Sequence, residues 1–429
     1  MTVTMTVHDE IGEWEPELIA TRRDFHMHPE LGLEEFRTSG IVVERLRAIG
    51  FDDIQTGIAV TGVKAILKGG KPGKTLLLRA DMDALPIEEE NQVEYRSQTA
   101  GTMHACGHDG HTAMLLAAAR VLHRHRQEIP GTIVFCFQPA EEGRGGAKKM
   151  VAEGVLANPT VDAAIGLHLM QDLPLGIIQA YPGPAMAAAD GFSVKIQGRG
   201  GHAATPEHTV DALMVAVQIV ATLQTLVSRE VSPLSPAVVT TAILHAGGTA
   251  RNIIADTATF AGSIRWFDKE TGDLLAVRVP AIIKGIAESM RATAEIDYHR
   301  GVPPTANDPD MAALVREAAV GVVGVEEIIT GKQIMGSEDF SEFTQRVPSC
   351  FFFVGSRDDA SGKIWSHHHP RFDIDERSLA IGARRTGALR YLKRTQFGAS
   401  VRVSMLVRRK WSVMSGILNT TPDAPPPTH

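Results

Sequence analysis

The chain has 429 residues, of which 44% are hydrophobic and 22% are charged, and its net charge is −7 with neutral histidines. At roughly 100–200 residues per domain, this length predicts two or three globular domains with sizeable cores, which excludes a disordered chain and a small disulfide-stapled scaffold. The acidic balance argues against a nucleic-acid partner, because general nucleic-acid binders are usually basic.

The cysteine count and the N-terminus bear on location. Three widely spaced cysteines, Cys106, Cys136 and Cys350, indicate free thiols and a reducing compartment rather than a disulfide framework. The N-terminus has neither a basic nor an apolar signal region, and no apolar stretch reaches the roughly 18 residues of a membrane span. We therefore expect a cytoplasmic protein with no transmembrane helix and no membrane partner.

Strands and helices alternate over the first 170 or so residues. We predict helices at 15–28, 35–50, 111–125 and 143–153, and strands at 60–68, 75–80, 132–137 and 162–167. Residues 91–103 are polar and irregular. This alternation predicts an α/β fold with a mainly parallel sheet covered by helices on both faces.

The pattern changes at the turn signal YPGP, residues 181–184. Strands at 191–198, 237–244 and 257–266, with helices at 209–229 and 269–293, predict an inserted α+β unit. Beyond residue 304 the alternation of strands and helices resumes, with helices at 308–320 and 376–392 flanking a strand at 350–354.

We therefore predict a discontinuous main domain, residues 1–183 and 301–393, interrupted by a smaller domain at 184–300. Residues 394–429 form a C-terminal extension that we expect to be poorly ordered, since it ends in the Pro-rich TTPDAPPPTH. The extension is locally basic at Arg402, Arg408, Arg409 and Lys410, so an interaction arm is the alternative.

Eight of the 17 histidines fall in a few short segments. In HACGHDGH, Cys106 and His108 lie two residues apart in a loop before a helix. A thiolate and an imidazole at this spacing can bind transition metals, although a buried structural cysteine beside surface histidines is the alternative.

Other candidate ligands follow predicted strands. In QPAEEG, one of Glu141 and Glu142 could bind a metal while the other acts as a base, or both could belong to an acidic helix start. His168 follows one strand and could instead be a capping or core residue. The segment DMDALP follows another strand, and one of its carboxylates could orient a ligand histidine, or the segment could be a turn. Because sites in open α/β sheets lie at the carboxyl ends of strands, their joint position favours one metal site.

Seven motifs in this order carry a resemblance to a known family: DMDALP, HACGHDGH, QPAEEG, GLH, RGGHAATP, GSEDFSEF and HHHPRFDIDE. Together they resemble the aminoacylase/carboxypeptidase superfamily of metallohydrolases (peptidase family M20). They are most similar to the subgroup of hippurate hydrolases, indole-acetyl-amino-acid hydrolases and N-acyl-amino-acid amidohydrolases. The resemblance covers about residues 12–393.

The resemblance implies a dinuclear metal site and assigns its residues. The implied ligands are Cys106, His108, Glu142, His168 and His368. Glu141 matches the general base and Asp83 an acidic residue that supports the metal site. His368 is chosen because the subgroup pattern is His-x-Pro, and His367 and His369 remain alternatives. Ser337, Glu338 and Asp339 of GSEDFSEF receive no role.

The inserted domain resembles the lid and dimerisation domain of this family. His202 matches a histidine that polarises the scissile carbonyl, often in the partner subunit's site. Asn252, with Arg251 as an alternative, lies in a segment associated with binding the substrate carboxylate. The resemblance implies a homodimer through the lid domain, or a tetramer.

The implied activity is metal-dependent hydrolysis of the amide bond of N-acyl amino acids to a carboxylic acid and a free amino acid. Two divalent metal ions per subunit, Mn, Zn, Co or Ni, would bridge and acidify a water, and Glu141 would accept its proton. A metallo-dipeptidase or carboxypeptidase with the same site is the alternative. An inactive metal-binding scaffold is a distant one, since every site position is filled.

Overall fold

A computed structural model describes residues 10–322 and 324–388 of the chain. The extension predicted at 394–429 and the end of the helix predicted at 376–392 lie outside the described residues. Strands and helices are numbered below in chain order.

The larger sheet has eight strands: β1 (Ile54–Ile58), β2 (Gly62–Lys68), β3 (Lys71–Asp81), β4 (Pro130–Gln138), β5 (Ala163–Pro174), β6 (Ile177–Gln179), β15 (Glu327–Ile329) and β16 (Ser349–Arg357). Their order is β1-β2-β4-β3-β5-β16-β6-β15. The four central strands, β4, β3, β5 and β16, are mutually parallel. Antiparallel pairs occur only toward the two edges of the described sheet. The predicted α/β class with a mainly parallel sheet is confirmed.

Helices cover both faces of this sheet because its central strands are apolar on both sides. Leu76 and Leu78 of β3 belong to one core and Leu77 to the other, as the two-residue period of a strand requires. The helices are α1 (Glu15–Met27), α2 (Phe36–Ile49), α3 (His108–Arg124), α4 (Gly146–Ala152), α7 (Pro309–Ala319), α8 (Ser341–Thr344) and α9 (Arg377–Ala388). Residues of α1, α2, α3, α7 and α9 join the first core, and residues of α4 and α8 join the second.

A second sheet with its own core occupies residues 188–302, here called the lid unit. Its strands are β8 (Ala188–Gln197), β10 (Ala237–Ala246), β12 (Thr257–Trp266) and β13 (Thr293–Val302), in the antiparallel order β10-β12-β8-β13. Helices α5 (Ala212–Thr225) and α6 (Lys269–Ser289) pack in the lid core, which shares no residue with the two cores of the larger sheet. The domain boundaries given above stay predictions.

Two short strand pairs complete the described strands. They are β7 (Gly183–Met186) with β14 (Thr305–Asn307), and β9 (Gly201–His202) with β11 (Ile253–Ile254). The first pair lies where the chain leaves the larger sheet for the lid unit and returns.

Three differences from the predicted elements have local causes. Helix α3 begins at His108 rather than residue 111, directly after Gly107, whose φ of 87° lies in the left-handed region that favours glycine. Strand β5 runs through His168 instead of ending before it, since its partner β16 continues beside it. Strand β13 was missed, although Ala294, Ile296 and Tyr298 alternate with polar residues as in a half-buried strand.

One helical stretch of the described residues, Ala212–Glu230, is long and apolar enough to cross a membrane by length and composition. A core helix meets the same criterion. In this fold Val215, Ile219 and Leu223 of α5 are buried in the lid core, which accounts for one apolar face of the stretch. Leu213, Met214 and Val217 are exposed, and they form a separate apolar surface.

Candidate metal centre

The carboxyl ends of two parallel strands bring acidic side chains to one edge of the larger sheet. Asp81 ends β3 and is followed by Asp83, and Gln138 ends β4 shortly before Glu141 and Glu142. Parallel strands place their carboxyl ends at the same edge, where ligands bind in open α/β sheets. The prediction of a shared edge holds for these residues, whereas His168 reaches the site from within β5.

Three buried side chains form one ligand group. Atoms of Cys106, His108 and His168 that could bind a cation all lie within 4.8 Å of one another. The Cys106 Sγ is 3.4 Å from the His168 Nε2. A thiolate with two imidazoles is a donor set that suits transition metals.

A second group shares the cysteine with the first. It consists of Cys106, Glu142 and His368, and the His368 Nε2 lies 3.1 Å from the Glu142 Oε1. Cys106 belongs to both groups, so its sulfur lies where a ligand common to two cations would be. The structure thus brings together all five side chains predicted as ligands.

Hydrogen bonds fix the orientation of the two buried imidazoles. The His108 Nδ1 donates to the Asp83 carbonyl oxygen at 2.9 Å and lies 3.2 Å from the Asp83 Oδ1. The His168 Nδ1 donates to the Leu169 carbonyl oxygen at 2.5 Å. Both rings therefore use Nδ1 as a donor to the backbone and turn Nε2 toward the site, an arrangement that is common among metal-binding histidines. The His108 Nε2 is buried without a hydrogen-bond partner among the described residues, as expected of a nitrogen that binds a cation.

Asp83 also orients the segment that carries Glu141 and Glu142, here called the acidic loop. Its Oδ2 accepts a hydrogen bond from the Glu142 N–H at 2.9 Å, while its other oxygen faces His108. One carboxylate thus links two candidate ligands that are 34 positions apart in the printed sequence. This contact supports the prediction that Asp83 acts behind the ligands.

The three consecutive histidines point in different directions. The His367 Nε2 donates to the Leu169 carbonyl oxygen at 2.9 Å. The ring of His369 stacks on Trp365, with centroids 4.3 Å apart. His368, whose φ of 64° turns the chain sharply, is the member of the triplet that joins a ligand group.

His111 belongs to a competing ligand group with Asp81 and His108, but its ring is already satisfied. Its Nδ1 donates to the Asp81 Oδ1 at 2.6 Å, and its Nε2 accepts from the Leu169 N–H at 2.9 Å. With both nitrogens engaged, His111 is a support for Asp81 rather than a ligand.

Burial and neighbouring charges leave the site short of positive charge. Burial, followed by the carboxylate of Glu142, holds the pKa of the Cys106 thiol well above its ordinary range. Burial and the carboxylates of Glu338, Asp339 and Glu142 raise the pKa of Glu141 well above its usual value. A bound cation would stabilise the thiolate and relieve the acidic repulsion.

Glu338 and Asp339, which the sequence left without a role, lie against the candidate base. The Asp339 N–H donates to the Glu141 Oε1 at 3.3 Å. The buried guanidinium of Arg79 donates to Glu338 at 2.8 Å, to Asp339 at 3.2 Å and to Asp81 at 2.7 Å. Arg79 was missed, and its signal was a lone charge inside the apolar strand TLLLRA.

The acidic loop is held from behind by Glu35. The fully buried Glu35 carboxylate accepts hydrogen bonds from the Ala140 N–H at 2.9 Å and from the Thr61 hydroxyl at 2.5 Å. Ala140 has a φ of 57°, a left-handed conformation that is uncommon for alanine and that directs the chain into Glu141. Burial raises the pKa of Glu35 to about 7.

The residues predicted to bind substrate lie elsewhere in the subunit. His202, Arg251 and Asn252 are exposed near the short β9–β11 pair of the lid unit, and Ala203 donates to the Asn252 carbonyl oxygen at 2.9 Å. None of the ligand groups of the described residues contains them. Their roles stay predictions.

Comparisons with known proteins give a matching family model and several similar relatives. The model of peptidase family M20/M25/M40 matches residues 77–389. IAA-amino acid hydrolase ILR1-like 4 of Arabidopsis thaliana is 40% identical over 385 residues, covering 89% of this chain and 86% of that relative. N-acetyl-L-cysteine deacetylase of Bacillus subtilis (strain 168) is 40% identical over 365 residues, covering 85% of each chain.

A solved structure is also similar. The Bacillus subtilis YXEP protein, described as a dinuclear metal binding peptidase from the M20 family, superposes with a TM-score of 0.77 at 34% identity. The match covers 88% of this chain and 98% of that one.

Replacing the shared cysteine tests the ligand set. We expect Cys106→Ala to lower the affinity for divalent cations at least ~10-fold, since even residues that only orient ligands have effects of that size. The control is Cys136→Ala, because Cys136 is also buried but its sulfur contacts Met150 in the second core of the larger sheet. Equal metal stoichiometry and affinity in the two variants, by elemental analysis and chelator competition, would contradict ligation by Cys106.

The raised pKa of Glu35 predicts a pH-dependent stability. A carboxyl group that holds its proton more tightly in the folded state stabilises the fold below its ordinary pKa, and this contribution is lost as the pH rises through about 7. Relative to Glu35→Gln, the wild type should therefore lose up to about 3 kcal/mol of unfolding free energy between pH 5 and pH 8. Urea titrations at both pH values measure this, with Glu34→Gln, at the exposed neighbouring position, as the control. A difference that stays constant with pH would refute the assignment.

Proposed function

This chain belongs to peptidase family M20/M25/M40 and is a metal-dependent amide-bond hydrolase, and we propose that its substrates are N-acyl amino acids. It would release a carboxylic acid and a free amino acid. The observation that carries the proposal is the pair Glu141–Glu142: Glu142 joins a ligand group with Cys106 and His368, whereas Glu141, next to it, belongs to neither of the two groups that share Cys106. The names of the amidohydrolase relatives support the substrate class.

We propose that the two groups sharing Cys106 hold two divalent cations, with Mn, Zn, Co and Ni as candidates. The donors are one sulfur, imidazole nitrogens and a carboxylate oxygen, a mixed set that suits these metals. When bound, such cations supply Lewis-acid chemistry that polarises the scissile carbonyl and acidifies water.

The residues of the chain handle the proton. Glu141 accepts a proton from the attacking water on a carboxylate oxygen and then delivers it to the nitrogen of the leaving amine. Its position is defined by the Asp339 N–H, and its raised pKa suits a group that both takes and gives a proton. Asp83 keeps His108 and Glu142 oriented throughout.

His202 would donate a hydrogen bond to the carbonyl oxygen as negative charge develops there. Arg251 or Asn252 would bind the substrate carboxylate. Because all three are exposed on the lid unit and outside the ligand groups, they would meet a metal centre of a partner subunit.

A surface on the lid unit supports a homodimer, or a tetramer built from it. The exposed side chains of Leu213, Met214 and Val217 on α5, with Ile243 and Leu244 on β10, form a set of large apolar residues. Strand β10 is also an edge strand of the lid sheet. Exposed apolar residues beside an unpaired strand edge are typical of a protein interface.

A peptidase acting on dipeptides is the second candidate, since the superposing Bacillus subtilis protein is described as a peptidase. The same metal machinery serves both reactions, so substrate profiling separates them. A panel of N-acetyl, N-benzoyl and N-indole-acetyl amino acids is compared with dipeptides, using metal-loaded enzyme and a chelator control. Faster turnover of dipeptides than of every N-acyl amino acid would contradict the proposed substrate class.

Removal of the base should separate binding from turnover. We expect Glu141→Gln to retain its metal and to lose about 10²- to 10⁴-fold in kcat, because the amide cannot accept the proton. The control is Glu34→Gln, a carboxylate outside the ligand groups. Turnover of Glu141→Gln within a few-fold of the wild type would remove Glu141 from this role.

Mixed dimers test whether His202 acts across the subunit interface. Glu141→Gln and His202→Ala homodimers should each be inactive. If His202 serves the partner, a mixed dimer has one site with both residues, so random mixing restores about a quarter of wild-type activity. Mixtures that show only the sum of the two variants would place His202 in its own subunit's site or outside the mechanism.

A further inference from the structure

Arg22 of α1 is a fully buried cation outside the ligand groups. Its side chain has no exposed surface. The Nε donates to the Asp109 Oδ2 at 2.7 Å, and one terminal nitrogen donates to the Asp373 Oδ1 at 3.1 Å. The mechanism above uses none of these three residues.

The two carboxylates belong to two distant segments that carry candidate ligands, the first turn of α3 and the segment before α9. Asp109 directly follows His108 and lies three residues after Cys106. Asp373 lies five residues after His368, in the segment that leads into α9. A single guanidinium therefore connects the start of α3 with the segment that carries His368.

Further contacts fix each carboxylate against Arg22. The His26 Nδ1 donates to the same Asp109 oxygen at 2.7 Å, and the His26 ring continues to Glu89 at 3.3 Å. The Tyr95 hydroxyl donates to Asp373 at 2.8 Å, and the Lys363 ammonium also pairs with this carboxylate. A packed hydrogen-bond network therefore holds Arg22 and both carboxylates in one arrangement, unlike an isolated ion pair.

The energetics of buried ion pairs indicate that the Arg22 bridge fixes the positions of the two carboxylates more than it stabilises the fold. Burying an ion pair costs several kcal/mol per charge in desolvation, and well-packed apolar residues would often stabilise a fold as well. A planar guanidinium can bond two carboxylates at fixed angles, which a lysine ammonium cannot reproduce.

We propose that Arg22 is a positioning residue that sets the distance between the Cys106–His108 loop and the His368 loop, so that metal affinity depends on it. The inference rests on the ligands named in the proposed function. Groups behind metal ligands typically change metal affinity or activity by 10- to 100-fold when lost.

The neighbouring Arg23 provides a matched control. It lies on the same helix and forms a two-point pair with Glu376 at 2.8 Å and 2.6 Å, with no bond to Asp109 or Asp373. Arg22→Lys and Arg23→Lys each retain the charge but not the fork. The first should bind cations ~10- to 100-fold more weakly by chelator competition, and the second within about twofold of the wild type.

Hydrolysis rates complete the test, and thermal unfolding shows whether each variant is folded. At limiting metal Arg22→Lys should be slow, and excess metal should restore most of its kcat, which a merely structural defect would not show. Wild-type metal affinity in a folded Arg22→Lys protein would overturn the proposal. If Arg22→Lys does not fold, Asp373→Asn, which removes the charge at one end of the bridge, must show the weakened metal binding, and normal affinity there is equally decisive.

Metal binding and hydrolysis by the wild type distinguish a failure of this inference from a failure of the proposed function. A wild type that binds no divalent cation or hydrolyses no amide would refute the proposed function itself. A wild type that does both, with Arg22→Lys and Asp373→Asn binding metal equally well, would refute only the role of Arg22.

Discussion

The structure depends on the gathering of ionisable side chains at one edge of a buried parallel sheet. Carboxylates from the ends of β3 and β4 meet there in a space with little water, where each unpaired charge is costly. Arg79 compensates part of this charge by pairing with Asp81, Glu338 and Asp339 at once. What Arg79 leaves uncompensated is the group of donors around Cys106, and cations are the groups that would balance it.

The ligands keep their orientation because other polar groups hold them from behind. Asp83 connects His108 to Glu142, and Glu35 secures the backbone at Ala140 just before the acidic pair. Asp83 and Glu35 come from different parts of the chain, so the packing of the larger sheet and its helices as a whole preorganises the site. A site built in this way keeps the Glu141 carboxylate beside the candidate ligand Glu142 without placing it in the groups that share Cys106.

The division into two separately packed units has a consequence for the proposed mechanism. The metal centre belongs to the larger sheet, whereas His202, Arg251 and Asn252 lie on the exposed side of the lid unit. A site completed by a partner would make activity depend on assembly. The apolar surface on α5 and the open edge of β10 lie in the same unit as those residues, so the proposed interface and the proposed substrate contacts would belong to one part of the chain.

The sequence by itself determined the family and the α/β class, and its motifs named the candidate ligands. Hydrophobic periodicity and strand-end positions are local properties, so they revealed where Asp83, Glu141 and Glu142 would meet, and the motif spacing singled out Cys106 and His108. Tertiary structure alone placed His368, which the subgroup pattern favoured over His367 and His369, in a ligand group, since the direction of each ring depends on the φ of one residue and on contacts with Leu169 and Trp365. It also decided the pairing of Arg22 with Asp109 and Asp373, across 87 and 351 positions, because side-chain contacts between distant segments are set by packing and not by any periodicity in the chain.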